Sequence, residues 1–208
     1  MEQPRGDGRL DFAAGNLGLN STYKASPSHP ATLLYGDFAG NGTKLIAEAV
    51  YDGDTLYPLR ARADLGARLP FILRRFPKND DFARANLVQV LGEKNVASAE
   101  VYRADNFSSG VFLSQPDGTY RFEPLPREAQ TAPIHGIVAA DFDGDGLLDL
   151  AAVQNTDSTV PRFHGGVGLF LKGNGRGGFS SLPSTKSGVL VPGNGRALAL
   201  IDANGDSR

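Results

Sequence analysis

The sequence contains no cysteine and no tryptophan, and only one methionine and three histidines among its 208 residues. The lack of cysteine excludes disulfides, thiolate metal sites and thiol redox chemistry, and it leaves the compartment open. No run of ~18 apolar residues occurs, and Met1-Glu2-Gln3-Pro4-Arg5 has none of the apolar character of a secretory leader. No membrane span is expected. An excess of one charge is missing too: 21 basic and 23 acidic residues leave a net charge of −2, so no overall field attracts nucleic acid or an anionic membrane. His29, His135 and His164 stand apart in sequence, outside metal-ligand spacings and away from any nucleophile, and read as turn or surface residues. No catalytic or cofactor-binding residue stands out, and the chain reads as a non-enzyme.

What is plentiful is glycine and proline, at 26 and 13 residues. Turn pairs such as Asp117-Gly118, Asn174-Gly175 and Asn194-Gly195 separate short apolar runs, the texture of a mainly β protein. Three segments repeat one pattern: Leu33–Gly36 before Asp37, Ile137–Ala140 before Asp141, and Leu198–Ile201 before Asp202. In each, a short strand leads into an aspartate that opens a glycine-containing loop. A hairpin pattern follows the same rhythm, Gly110–Leu113 with Tyr120–Phe122 against Gly168–Leu171 with Gly178-Phe179. Phe122 to Phe179 and Asp141 to Asp202 both give an interval of about 60 positions, the size of a four-stranded blade.

Asp37 precedes Asp141 by one such interval plus about 43 further residues, which implies an insertion. The texture turns helical there, with acidic Asp80-Asp81 ahead of apolar positions and Gly92 at a capping position. Helices are expected at 64–75, 80–91 and 93–103, a helical insertion over about 64–103. The chain begins and ends inside repeats and therefore reads as a fragment.

The richest motif is Asp141-Phe142-Asp143-Gly144-Asp145-Gly146-Leu147-Leu148-Asp149. Carboxylates at positions 1, 3 and 5 converge when the backbone curls round an ion, Gly146 supplies the turn, and Leu147 offers its carbonyl. Clustered carboxylates repel unless a cation neutralises them, and an all-oxygen donor set suits Ca²⁺. An EF-hand would need an acidic residue at position 12 and flanking helices; here position 12 is Ala152 and the flanks read as strands. Asp149 at position 9 is then the fourth side-chain ligand. The other copies are thinner. Asp37 and Asn41 keep two ligand positions, with Ala39 and Leu45 at positions 3 and 9; Asp7 and Asp11 fill positions 5 and 9 of a truncated first copy; Asp202, Asn204 and Asp206 open a last one.

These loops and repeats resemble the FG-GAP/VCBS family, whose blades build integrin-α-type propellers and many exported bacterial proteins. Asp11–Asn20, Tyr23–Ser26, Tyr57–Arg60 and Leu69-Pro70 are similar to the bacterial subgroup often associated with an ASPIC/UnbV domain, although that domain is not present here. The resemblance implies a seven-bladed ring, calcium in blade loops, and an extracellular, cell-surface or periplasmic location. About three to four blades' worth of sequence is present, so the expected fold is a partial β-propeller of one domain with a helical insertion. Its partners would be the remaining blades of a longer chain and a protein or glycan ligand. An extracellular polysaccharide-active enzyme or a spacer without ligand are the alternatives.

Two further stretches have plainer readings. Lys172–Gly178 is glycine-rich but leads into Phe179-Ser180-Ser181, so it is a hairpin turn and not a phosphate loop. Arg60, Arg62, Arg68, Arg74, Arg75 and Lys78 are interleaved with Asp64, Asp80 and Asp81 and read as a solvated helical face, with an anionic partner as the sharper alternative. Asn20, Asn41 and Asn106 begin N-glycosylation sequons.

Overall fold

The structure, a computed structural model, describes residues 8–154, 157–159, 162–164 and 166–202, the two short central segments by backbone alone. It is mainly β, with antiparallel sheets that are open at their end strands. The chain divides into two compact units: Tyr23–Asn106, and Met1–Thr22 together with Phe107–Arg208. The second unit is therefore interrupted in sequence by the first. It contributes β1 (Phe12–Ala14) before the interruption.

The inserted unit opens with a meander of β2 (Ala31–Gly36), β3 (Leu45–Asp52) and β4 (Thr55–Pro58). Five short helices follow: α1 (Arg62–Arg68), α2 (Pro70–Arg75), α3 (Asn79–Ala83), α4 (Leu87–Leu91) and α5 (Glu93–Ser98). The chain then returns as β5 (Glu100–Ala104), which pairs with β2 and completes the order β4-β3-β2-β5. The expected long helices are broken at identifiable residues. Pro70 disfavours a helical Leu69, which adopts φ −126°, and so divides 64–75. Asn86 divides 80–91 by starting α4 with a capping box, its side chain accepting from the Gln89 amide while Gln89 reaches back to the Asn86 amide. The third helix ends at Ser98, and Glu100–Ala104 is strand where helix was expected over 93–103. Its β-branched Val101 and aromatic Tyr102 suit a strand, and the backbone donors of β2 give it a ladder. The helices cover one face of the sheet, where Leu34, Ala47 and Ala49 meet Leu69, Ile72, Leu87, Val90 and Leu91.

In the interrupted unit β1 pairs with β6 (Gly110–Ser114), which pairs with β7 (Tyr120–Pro124), giving the order β1-β6-β7. A 3₁₀ turn at Arg127–Gln130 leads to β8 (Ile134–Ala140) and β9 (Asp149–Gln154). A two-stranded ribbon, β10 (Asp157–Thr159) with β11 (Arg162–His164), precedes β12 (Leu169–Gly173) and β13 (Phe179–Leu182), and a short α6 (Ser184–Ser187) follows. The larger sheet has the order β13-β12-β9-β8.

The two sheets of this unit repeat one another. Phe12 opposes Phe112 as Leu150 opposes Leu171, and Ser114 opposes Tyr120 as Gly173 opposes Phe179. Tyr120, and not Phe122, is thus the counterpart of Phe179. The sequence offers aromatic residues two positions apart on one strand face, and only hairpin closure separates them. The sheets share a core in which Ala13, Val111 and Leu113 meet Leu150, Ala152, Leu169 and Leu171. By the same register Val111 corresponds to Phe170 and Leu113 to Lys172, on the face of the second sheet that points away from this core. Opposite faces of equivalent sheets therefore meet, and the sheets stack front to back. Leu113, Leu150 and Leu171 are fully buried there, each stabilising by about 1.5–3 kcal/mol.

Candidate metal centre

The Asp141–Asp149 loop joins β8 to β9, with Ala140 opposite Asp149 at its base. It is curled by the side chain of its first residue. Asp141 Oδ1 accepts from the Gly144 amide at 2.8 Å and the Asp145 amide at 3.1 Å, and Oδ2 accepts from the Gly146 amide at 2.8 Å. Gly144 and Gly146 take φ of 78° and 83°, in the left-handed region where a side chain is strained. Asp145 Oδ1 accepts from the Leu147 amide at 2.9 Å. Asp149 is fully buried, its Oδ1 accepting from the Gly173 amide at 2.9 Å and its Oδ2 from the Phe142 amide at 3.3 Å.

Asp141, Asp143 and Asp149 each present a carboxylate oxygen within 4.8 Å of the others, a set that could hold a metal ion. The donor set is all oxygen, which fits a hard cation. Asp145, expected as a further ligand, is turned elsewhere: its Oδ2 receives the Lys172 ammonium at 2.8 Å, and the same ammonium contacts Asp143 Oδ2. Lys172 comes from β12, one residue beyond Leu171, which pairs with Leu150 of β9. This cation holds the Asp145 carboxyl below its ordinary range, and the two aspartates hold the Lys172 ammonium above its own. Sequence reasoning placed Lys172 only in a hairpin turn. Nothing local marks it, because its partners lie 27 and 29 positions away.

The loop at Asp37 has the same shape without the same ligands. Asp37 accepts from the Asn41 and Gly42 amides at 3.1 and 2.7 Å, Asn41 accepts from the Thr43 amide at 3.0 Å, and Gly40 and Gly42 take φ of 69° and 83°. Gly36 opposes Leu45 as Ala140 opposes Asp149. The Gly42 amide is the main reason that the Asp37 carboxyl lies below its ordinary range. The curl therefore comes from an aspartate at position 1, Asn or Asp at 5 and glycine at 4 and 6, whereas metal donors need positions 3 and 9 as well. Ala39 and Leu45 supply none there.

Asp11 keeps the position-9 contact: buried, it accepts from the Ser114 amide at 2.8 Å, the counterpart of Asp149 with Gly173. Asp7, Asn204 and Asp206 lie outside the described residues, and Asp202 is exposed at the end of them. Much of the basic concentration is structural. Arg60 pairs with Glu48 at 2.5 Å, Arg62 donates to Asn79 Oδ1 and the Phe76 carbonyl, and Arg75 donates to the carbonyls of Gln89 and Val90. His29 contacts Asp54 at 3.1 Å on the surface and His135 is exposed, while the side chain of His164 lies outside the described residues. Among the described residues, no helix is long and apolar enough to cross a membrane. Compared with known proteins, the chain matches no family model, no curated protein and no solved structure.

Proposed function

We propose that this chain is a calcium-binding repeat module of the propeller-forming FG-GAP/VCBS type. In this reading the metal is structural, and the loops present a surface to a protein or glycan ligand. The observation that carries the reading is the register-for-register repetition of the aspartate-loop hairpin, combined with front-to-back stacking of two equivalent sheets. A sandwich related by two-fold symmetry would bring like faces together, whereas blades that follow one another round a ring bring unlike faces together. The convergence of Asp141, Asp143 and Asp149 with oxygen donors only supports calcium as the ion, and Asp145 would add a fourth carboxylate on releasing Lys172. Export or surface display accompanies this reading, since millimolar calcium is found outside cells and extracellular modules bind it at about 10⁻⁴–10⁻³ M.

Calorimetric titration with calcium, followed by glycan and protein screening with and without the ion, tests the proposal. Saturable binding that is lost in Asp143→Ala supports it. Turnover of a glycan would instead favour a polysaccharide-active enzyme, and calcium binding without any ligand would favour a spacer.

A further inference from the structure

The Lys172 ammonium sits on two carboxylates that a metal in the Asp141 loop would require. Its contacts are Asp143, one of the three converging aspartates, and Asp145, the residue at position 5. A divalent ion drawing on Asp143 would bring two like charges to one carboxylate, and Asp145 joins the donor set only by releasing Lys172. Both events are opposed by an attraction between side chains that are about one-third exposed, Lys172 at 35% and Asp145 at 33%, where solvent weakens but does not abolish it.

The placement of this lysine is not a requirement of the strand. The equivalent position in the neighbouring sheet is Leu113, fully buried in the core. The curl of the loop does not require the lysine either, because the Asp37 loop adopts the same hydrogen bonds while its own Lys44 pairs with Glu100 at 2.8 Å instead. What Lys172 supplies is a positive charge at the mouth of a carboxylate cluster, delivered by the protein itself.

Resting on the calcium reading above, we propose that Lys172 is a tethered counter-cation that competes with calcium for Asp143 and Asp145, so that the ion and the Lys172 ion pairs exclude one another. At low calcium Lys172 then neutralises these two carboxylates, and the site exchanges that internal cation for the metal as calcium rises. Filling the site swings the Lys172 side chain out to solvent, which makes this residue the moving part of the centre. The coupling is reciprocal: calcium weakens the lysine contacts by the same factor by which those contacts weaken calcium binding.

The test is calcium calorimetry on the whole chain and its Lys172→Met variant, with Lys172→Arg as a charge-retaining control. Lys172→Met is expected to bind calcium about tenfold more tightly than the unsubstituted protein, and Lys172→Arg to stay close to it. An affinity in Lys172→Met that is equal or lower overturns the competition while leaving the calcium site standing. No calcium binding by any of the three overturns both. Should Lys172→Met fail to fold, the unsubstituted protein still decides: amine-reactive labelling of Lys172, followed by peptide mass spectrometry, is expected to speed up severalfold at saturating calcium, and an unchanged rate overturns the proposal.

Discussion

Asp149 Oδ1 accepts the Gly173 amide at 2.9 Å, ties the end of β12 to the start of β9, and has an exact counterpart in Asp11, which accepts the Ser114 amide at 2.8 Å. Both aspartates are buried, and each bridges the ends of two paired strands, β9 with β12 and β1 with β6. The position-9 carboxylate thus has a structural task of its own beside any metal.

Alanine at either aspartate leaves a buried amide without an acceptor. Asp11→Ala and Asp149→Ala should each lower unfolding stability by about 1–3 kcal/mol in urea denaturation. The Asp11→Ala loss should be the same with and without calcium, whereas Asp149→Ala should also abolish calcium stabilisation. Wild-type midpoints in both variants would remove this task.

Glycine acts in two ways in this unit. A Cβ on Gly173 would lie 1.9 Å from the Leu148 carbonyl oxygen, while one on Gly118 would meet open space at φ 83°. Gly173→Ala should therefore cost about 3 kcal/mol or more through a backbone clash, and Gly118→Ala about 1–2 kcal/mol through strain alone. Thermal melting of the two variants orders them, and a Gly118→Ala loss equal to that of Gly173→Ala would contradict the packing.

The sequence made legible whatever depends on local spacing. The Asp141 and Asp37 hairpins, their glycine positions and the position-9 aspartates all follow from residues a few places apart. The interruption was only half visible. The helices betrayed an insertion, but its compact unit begins at Tyr23 and takes in the Asp37 hairpin, because β5 returns to β2 across the helices and long-range pairing leaves no local mark. Lys172 escaped notice for the same reason, and Asp145 was expected inward because its partner could not be seen.

Tyr23 donates to Glu48 Oε1 at 2.6 Å, and Arg60 shares that carboxylate. Burial first, and the Glu48 hydrogen bond second, push the Tyr23 phenol from 10.0 up to about 12. A raised value favours the neutral phenol in the folded protein, so this stabilisation is complete below pH 10 and fades as pH rises towards 12. Absorbance titration should show a tyrosine ionising near that upper value, and Tyr23→Phe should remove that component. Ionisation of every tyrosine near pH 10 would contradict the contact.

The outer face of the smaller sheet carries the row Phe12, Phe112 and Phe122, with Tyr120 5.3 Å from Phe12 between ring centres. Phe12 is 45% exposed and Phe112 38%. Their counterparts, Leu150 and Leu171, face the inter-sheet core. On the propeller reading this row receives a neighbouring blade, so the chain alone should associate in sedimentation velocity. Phe112→Ser should shift it towards monomer while costing less than about 1 kcal/mol of stability. A closed, monomeric wild-type chain at all concentrations would contradict that reading.

Melting temperature against calcium concentration tests the metal centre most directly. Ligand binding to the folded state alone raises stability with concentration, and about 100 times the dissociation constant adds about 2.7 kcal/mol. The wild-type melting temperature should climb by several degrees into the millimolar calcium range, with magnesium much less effective, and Asp143→Ala should stay flat. A wild-type curve as flat as that of Asp143→Ala would contradict a calcium site at Asp141, Asp143 and Asp149.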